Sequence, residues 1–299
     1  MNRRGIVLVV VLWALLLLGT IALSFAYAMR TEARAARNGA DAVRAYFQAR
    51  TGIGRAIMMF STLPADNVLA GPIEGEDGDA GYRVSVESES GKIDVNLASG
   101  ERIRSVLAAS GIPDAEAGAL SAAIVSWRGG EAGAGPTEGE YAALPEPIRP
   151  RKGTLLTIEE LRYVKGVTRD LYGNLLSRIF TVHGGSPQVN LNAAPRIVLR
   201  ALGLTVEQAD RILEMRKEAP FRTESDIVMG LAKSGIPPTV LPGLTAASAS
   251  NVYTVTARGT AGAGVVRIVR CRVKVEGAGK RGVRIGRWED LVSSGEDAK

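Results

Sequence analysis

Few residues in this sequence are of a type and spacing that do chemistry. Its one histidine, His183, precedes Gly184-Gly185-Ser186, a loop of the kind that can frame an oxyanion. No GxSxG nucleophile elbow accompanies it, so the segment reads as a turn. GxxxxGK[ST], CxxC and HExxH are also missing. A single cysteine, Cys271, excludes an intramolecular disulfide, and a single histidine excludes a histidine-rich metal site. The acidic run Glu74-Gly75-Glu76-Asp77-Gly78-Asp79 carries carboxylates that suit calcium. It lacks EF-hand spacing, however, and reads as a solvated loop. Glu159-Glu160 follows Thr157 and fits a helix N-terminus, where the dipole favours negative charge. No catalytic residue is assigned, and the chain is not expected to be an enzyme.

The other places where chemistry is expected are Gly-containing turns. Leu161-Arg162-Tyr163-Val164-Lys165-Gly166-Val167-Thr168 has the core of a helix-hairpin-helix unit. Leu202-Gly203-Leu204-Thr205, with Ala209, Ile212, Leu213 and Arg216 after it, has the flanks of another. Such hairpins can offer backbone amides to phosphate, or can simply pack helices together. Net charge is +6, which permits nucleic acid, anionic lipid or an acidic partner without choosing among them.

The N-terminus decides the compartment. Ile6 to Met29 carries no charge and, as a helix rising about 1.5 Å per residue, is long enough for a hydrocarbon core of about 30 Å. Arg30, Glu32, Arg34 and Arg37 close it off. A plain signal-anchor is one reading. A secretory signal cleaved after Ala26-Tyr27-Ala28 is another, although the apolar run is long for one. A twin-arginine signal at Arg3-Arg4 lacks the rest of its motif. In a further reading Arg3-Arg4-Gly5 before Ile6-Val7-Leu8-Val9-Val10 resembles a prepilin leader, which a prepilin peptidase cuts between Gly5 and Ile6.

Beyond the apolar run, Arg30 to Leu63 continues as helix. Ala33, Ala36, Ala40, Val43, Phe47, Ile53, Ile57 and Phe60 lie close to the helical period, and Pro64 ends it. Tyr82–Ser88 and Lys92–Asn96 alternate like strands joined through Ser90-Gly91. From Ala98 to Ser248 helical spacing dominates, at Val106–Ala109, Ala115–Trp127, Thr157–Val164, Asp170–Phe180, Ala194–Leu202, Val206–Lys217 and Glu224–Lys233. Thr157, Thr205 and Thr223 stand as N-caps. Strand pattern returns at Val252–Ala257 and Val265–Val275 around a Gly259–Gly264 turn. The expected fold class is α+β: an N-terminal transmembrane and stem helix, then a pilin-like antiparallel sheet carrying a large inserted helical domain. The expected divisions are a leader at 1–5, a membrane helix at 6–29, stem and first strands at 30–97, the insertion at 98–248, closing strands at 249–292 and a disordered tail at 293–299.

In order along the chain, several segments resemble the K-type minor pseudopilin of type II secretion systems (general secretion pathway protein K). They begin with Arg4-Gly5 and the apolar helix, then Asn38, Tyr46, Ala49, Gly52-Ile53 and Ala56 in the stem. Gly91-Lys92-Ile93-Asp94-Val95-Asn96 follows, then Ala123–Trp127, with Gly133, Glu138 and Tyr141. Glu160-Leu161 with Val164-Lys165-Gly166-Val167 comes next, and Val189-Asn190-Leu191-Asn192-Ala193-Ala194-Pro195 with Leu199 and Leu202 completes the set. The fifth residue after the proposed cut is Val10, where major pseudopilins carry Glu. A carboxylate in hydrocarbon needs a partner, and a tip subunit has no subunit above it to supply one.

The resemblance implies a structural role at the pseudopilus tip, initiating or capping assembly for export across the outer membrane. It implies I- and J-type pseudopilins, the pseudopilus, the inner membrane and a prepilin peptidase as partners, with the bulk of the chain in the periplasm. No nucleic acid is expected. A type IV pilus or DNA-uptake minor pilin, using the hairpins on DNA, is the alternative, and a cleaved periplasmic hydrolase the more distant one. The resemblance allows calcium, but no cofactor is assigned because the acidic pattern around Trp127 is degraded. Trp127 has Ser126 before it and Arg128-Gly129 after it where the family commonly has acidic residues, although Glu131, Glu138 and Glu140 stand nearby.

Overall fold

A computed structural model describes residues 3–69, 71–130, 135–236, 243–262, 264–277 and 281–291. The side chains of residues 3–6 and 66 also lie outside the described set. Helix α1, Arg3–Thr62, is continuous. Val7 to Met29 are exposed along it, as an apolar surface is when no membrane or neighbouring helix is present. Pro64 and the short α2, Ala65–Leu69, turn the chain back.

The antiparallel sheet has five strands in the order β1 (Ile73–Asp77), β2 (Ala80–Ser88), β7 (Val252–Ala261), β8 (Val265–Glu276) and β9 (Gly282–Leu291). Val84, Val255, Ala257, Val269, Cys271 and Val273 alternate onto one face and pack against Ala49, Ile53, Ala56 and Phe60 of α1. The apolar stripe of the stem differs from the expected one. Ala33, Ala36, Ala40, Val43 and Phe47 are exposed, and Ala45 and Ala49 face the sheet instead. The step from Phe47 to Ile53 breaks the 3.6-residue period, and helix geometry carries Ala45, Ala49, Ile53, Ala56 and Phe60 onto one side.

The acidic run is not a loop. Ile73–Asp77 pairs with Ala80–Val84 as a hairpin whose turn holds Gly78 at φ +62°. The second expected early strand does not join the sheet. Only Ile93–Asp94, β3, is extended, and it runs parallel to Phe180–Thr181, β4. β9 shows no strand pattern in the sequence: Val283 and Ile285 alternate, but Trp288 falls out of phase across a register shift opposite Cys271 and Val273.

The described residues from Glu89 to Asn251 leave the sheet between the adjacent strands β2 and β7 and build a second core, with Ile93, Ile124, Leu161, Phe180, Leu191 and Ile212 among its buried residues. This head consists of two units on one plan. In the first, β3 leads into helices α3 (Gly100–Ala109) and α4 (Asp114–Trp127). The short α5 (Glu138–Ala142), a 3₁₀ helix at Ile158–Tyr163, α6 (Arg169–Leu171), a π turn at Tyr172–Leu176 and α7 (Ser177–Ile179) follow, ending in β4. In the second unit, β5 (Val189–Asn190) leads into α8 (Arg196–Ala201), α9 (Val206–Glu218) and α10 (Glu224–Lys233). It closes by pairing in parallel with β6 (Leu244–Thr245).

The same contacts recur in both units. The Asp94 carboxylate accepts from the Asn96 amide, and the Asn190 carbonyl oxygen Oδ1 from the Asn192 amide, each at 2.9 Å. Asn96 then holds Leu155 by both backbone groups at 2.9 Å, and Asn192 holds Phe221 at 2.9 and 2.7 Å. Arg128 donates to the Val95 carbonyl, and Arg216 to those of Leu191 (3.0 Å) and Ala194 (2.7 Å). Burial lowers the pKa of both guanidiniums, consistent with their place inside the units.

Candidate functional site

The expected helix starts are present as reciprocal capping boxes. Thr205 with Gln208 opens α9 and Thr223 with Asp226 opens α10. At the 3₁₀ helix, the Glu160 carboxylate accepts from the Leu156 amide at 2.8 Å and the Thr157 amide at 3.3 Å. Glu159 reaches across to Arg287 of β9 at 2.7 Å. Both hairpin turns form around left-handed glycines, Gly166 at φ +90° and Gly203 at φ +93°. The first packs inward: a Cβ on Gly166 would stand 3.1 Å from the Leu120 side chain of α4.

Gly5 and Ile6 lie within α1, and their side chains are outside the described residues. Val10 is exposed in the apolar stretch. Trp127 is buried and meets the Tyr141 ring edge-on, with centroids 5.5 Å apart. Of the carboxylates near it, Glu138 pairs with Lys152 and Glu140 with Lys165 at 2.6 Å. The Lys165 hydrogen bond, followed by the Thr137 backbone, holds the Glu140 carboxyl down at about 2. Glu131 lies outside the described residues. Among the described residues no three His, Cys, Asp or Glu side chains stand together as metal ligands. Cys271 is sealed between sheet and stem, where burial pushes its thiol up to about 11.

The residues with unusual environments gather where head and sheet join. Glu89, 3% exposed, sits in the 3₁₀ turn Glu89–Gly91 that leaves β2. Its carboxylate accepts from the hydroxyls of Thr254 on β7 (2.6 Å) and Thr181 on β4, and pairs with Lys92 at 3.3 Å. Burial would raise this carboxyl, but Lys92, the two hydroxyls and the Arg272 charge outweigh it and hold the pKa below the ordinary range. His183 stands beside it. Arg272 can only donate, so the His183 Nε2, 3.2 Å away, is the acceptor, which leaves the neutral ring with its proton on Nδ1. Burial and then the Arg272 charge lower the His183 pKa. His183 is therefore a joint residue, and its main-chain carbonyl accepts from the Ser250 hydroxyl at 2.5 Å.

Sequence reasoning missed Glu89 because its hydroxyl partners lie 92 and 165 residues away. It did single out Gly91 and Asn190 in separate motifs, and the structure brings them together. A Cβ on Gly91 would overlap the Ala193 carbonyl, and Asn190 donates to Ser90 at 3.4 Å.

A long helix, apolar and long enough in its first part to cross a membrane, laid on an antiparallel sheet with a head inserted between neighbouring strands, defines a protein of pilin-like α+β build. Two models of protein K of the type II secretion system match the chain, at residues 84–183 and 189–248. Each covers one unit of the head. The chain belongs to the type II secretion system protein K family, the K-type minor pseudopilins. Its fold is similar to a chain in the crystal structure of the GspK-GspI-GspJ complex from the enterotoxigenic Escherichia coli type 2 secretion system. The match has a TM-score of 0.63 at 14% identity and covers 86% of this chain and 99% of that one. No individual curated protein matches the sequence.

Proposed function

We propose that this chain is a structural, non-catalytic subunit at the tip of a type II secretion pseudopilus, where it initiates or caps assembly. The carrying observation is the head inserted between β2 and β7, a bulk that a repeating shaft would have to accommodate at every subunit. The apolar Val10 supports the same reading, since it needs no charged partner in the membrane. The related crystal structure is of a complex with GspI and GspJ, and I- and J-type pseudopilins are the partners proposed here. Their stems would lie along the exposed small and apolar residues Ala33, Ala36, Ala40 and Val43 of α1. In this reading α1 crosses the inner membrane once, the bulk lies in the periplasm, and a prepilin peptidase cuts between Gly5 and Ile6.

Sequencing the N-terminus of the mature protein tests the maturation step. A start at Ile6 supports the proposal. A start at Met29 would make the chain a secreted protein, and an uncut start would make it a plain anchor.

A further inference from the structure

The sheet face turned away from the stem does not lie flat against the head. A cleft of about 430 Å³ runs between them. Its sheet wall carries Thr254, Thr256, Arg270, Arg272 and Glu289, and its head wall carries Ile158, Tyr172, Arg178, Pro195 and Ile197. Arg270 and Arg272 face it because they alternate with the stem-facing Val269, Cys271 and Val273.

The charges in this cleft are unequally committed. Its four carboxylates share two cations. Glu87 and Glu89 lie 3.5 and 3.3 Å from Lys92. Glu159 and Glu289 both pair with Arg287. Arg178 and Arg270 have no such partners, and Arg272 balances Glu89 only at longer range. Among the described residues no carboxylate stands within ion-pair distance of Arg178, Arg270 or Arg272. Arg270 spends its Nε on the Thr256 hydroxyl at 3.4 Å, and Arg272 spends one terminal nitrogen on His183. The Arg272 Nε is buried with no hydrogen-bond partner.

We propose that this cleft binds an acidic peptide segment, its carboxylates taken by Arg178, Arg270 and Arg272 and its aliphatic parts by Ile158, Pro195 and Ile197. Guanidiniums present planar forks that match carboxylates two bonds at a time. The apolar side chains opposite them suit an anion carried on a hydrocarbon body better than a bare inorganic ion. The site lies on the opposite side of the sheet from the stem, so an occupant and a neighbouring stem helix do not compete.

The test is calorimetric titration of the full chain in detergent micelles, with heats on empty micelles subtracted. The probes are an N-acetylated hexapeptide of alternating Leu and Glu, its Leu and Lys counterpart, and inorganic phosphate. The acidic peptide is expected to bind, and the basic one and phosphate are not. Arg178 and Arg270 are exposed, so the double substitution Arg178→Ala, Arg270→Ala should keep the melting temperature while weakening the acidic peptide at least about tenfold. No binding of the acidic peptide, equal binding of the basic peptide, equal binding of phosphate, or an unchanged affinity in the double variant would each overturn the proposal.

Discussion

Gly259 near the end of β7 lies directly under the main chain of Ala45 on the stem: a Cβ there would overlap the Ala45 carbonyl oxygen and crowd the Ala49 nitrogen. Backbone, rather than a flexible side chain, meets it, so neither partner can move aside cheaply. This contact sets how closely helix and sheet approach, and Ala45 and Ala49 are small for the same reason.

Gly259→Ala should therefore destabilise the stem–sheet unit by about 2–3 kcal/mol, as overpacking does. Gly54, on the exposed side of the same helix, meets nothing within 4 Å. Gly54→Ala should raise stability by about 0.5–1 kcal/mol through lost backbone freedom in the unfolded chain. Chemical denaturation of the two variants in detergent checks both signs. Equal effects would mean that the close approach is not a constraint.

The Glu89 joint predicts acid sensitivity. Its carboxyl titrates below the ordinary 4.5 in the folded chain, so the unfolded chain takes up that proton first and stability is lost as pH falls from about 4.5 downward. His183 is also depressed, from 6.5. The unfolded chain binds its proton first too, and the decline begins below about pH 6.5. Glu89→Gln should cost about 3 kcal/mol, because it leaves Lys92 and Arg272 half-buried without that charge, and should remove the lower part of the pH dependence. Denaturation midpoints across the pH range read both effects. A Glu89→Gln variant with an unchanged pH profile would remove Glu89 from the joint.

The capping box at α9 gives a local prediction. Thr205→Ala removes the hydroxyl that accepts from the Gln208 amide at 3.2 Å and should cost about 1 kcal/mol. Faster amide exchange confined to the first turn of α9 would accompany it. Exchange unchanged there would count against the cap.

The helices of the head were legible because their signals are local. Thr205 and Thr223 announce their starts three residues ahead of Gln208 and Asp226, and the glycines at 166 and 203 announce turns. The two-unit plan was not legible. It rests on Asn96 and Asn192 holding residues 59 and 29 positions away, and an asparagine carries no local sign of which backbone it will clamp. The short strands β3 to β6 are two residues each, too brief for alternation to show. The cleft and the Glu89 joint depend on side chains that meet only after β2 and β7 have paired. The stem stripe was misplaced because Val43 and Phe47 are larger than Ala45 and Ala49, and size suggested burial where close packing demanded smallness.

No strong binding to nucleic acid is expected, since Gly166 packs inward and Lys165 is committed to Glu140. Fluorescence anisotropy with duplex DNA should show no submicromolar, steeply salt-dependent binding. Such binding would favour the DNA-uptake alternative.

The most direct test of the tip assignment is light scattering coupled to size exclusion on the full chain in detergent, alone and mixed with its cognate I- and J-type pseudopilins. The three should co-migrate as one heteromeric species, and the chain alone should build no filament. A chain that stays monomeric beside both partners, or that polymerises by itself, would contradict that assignment.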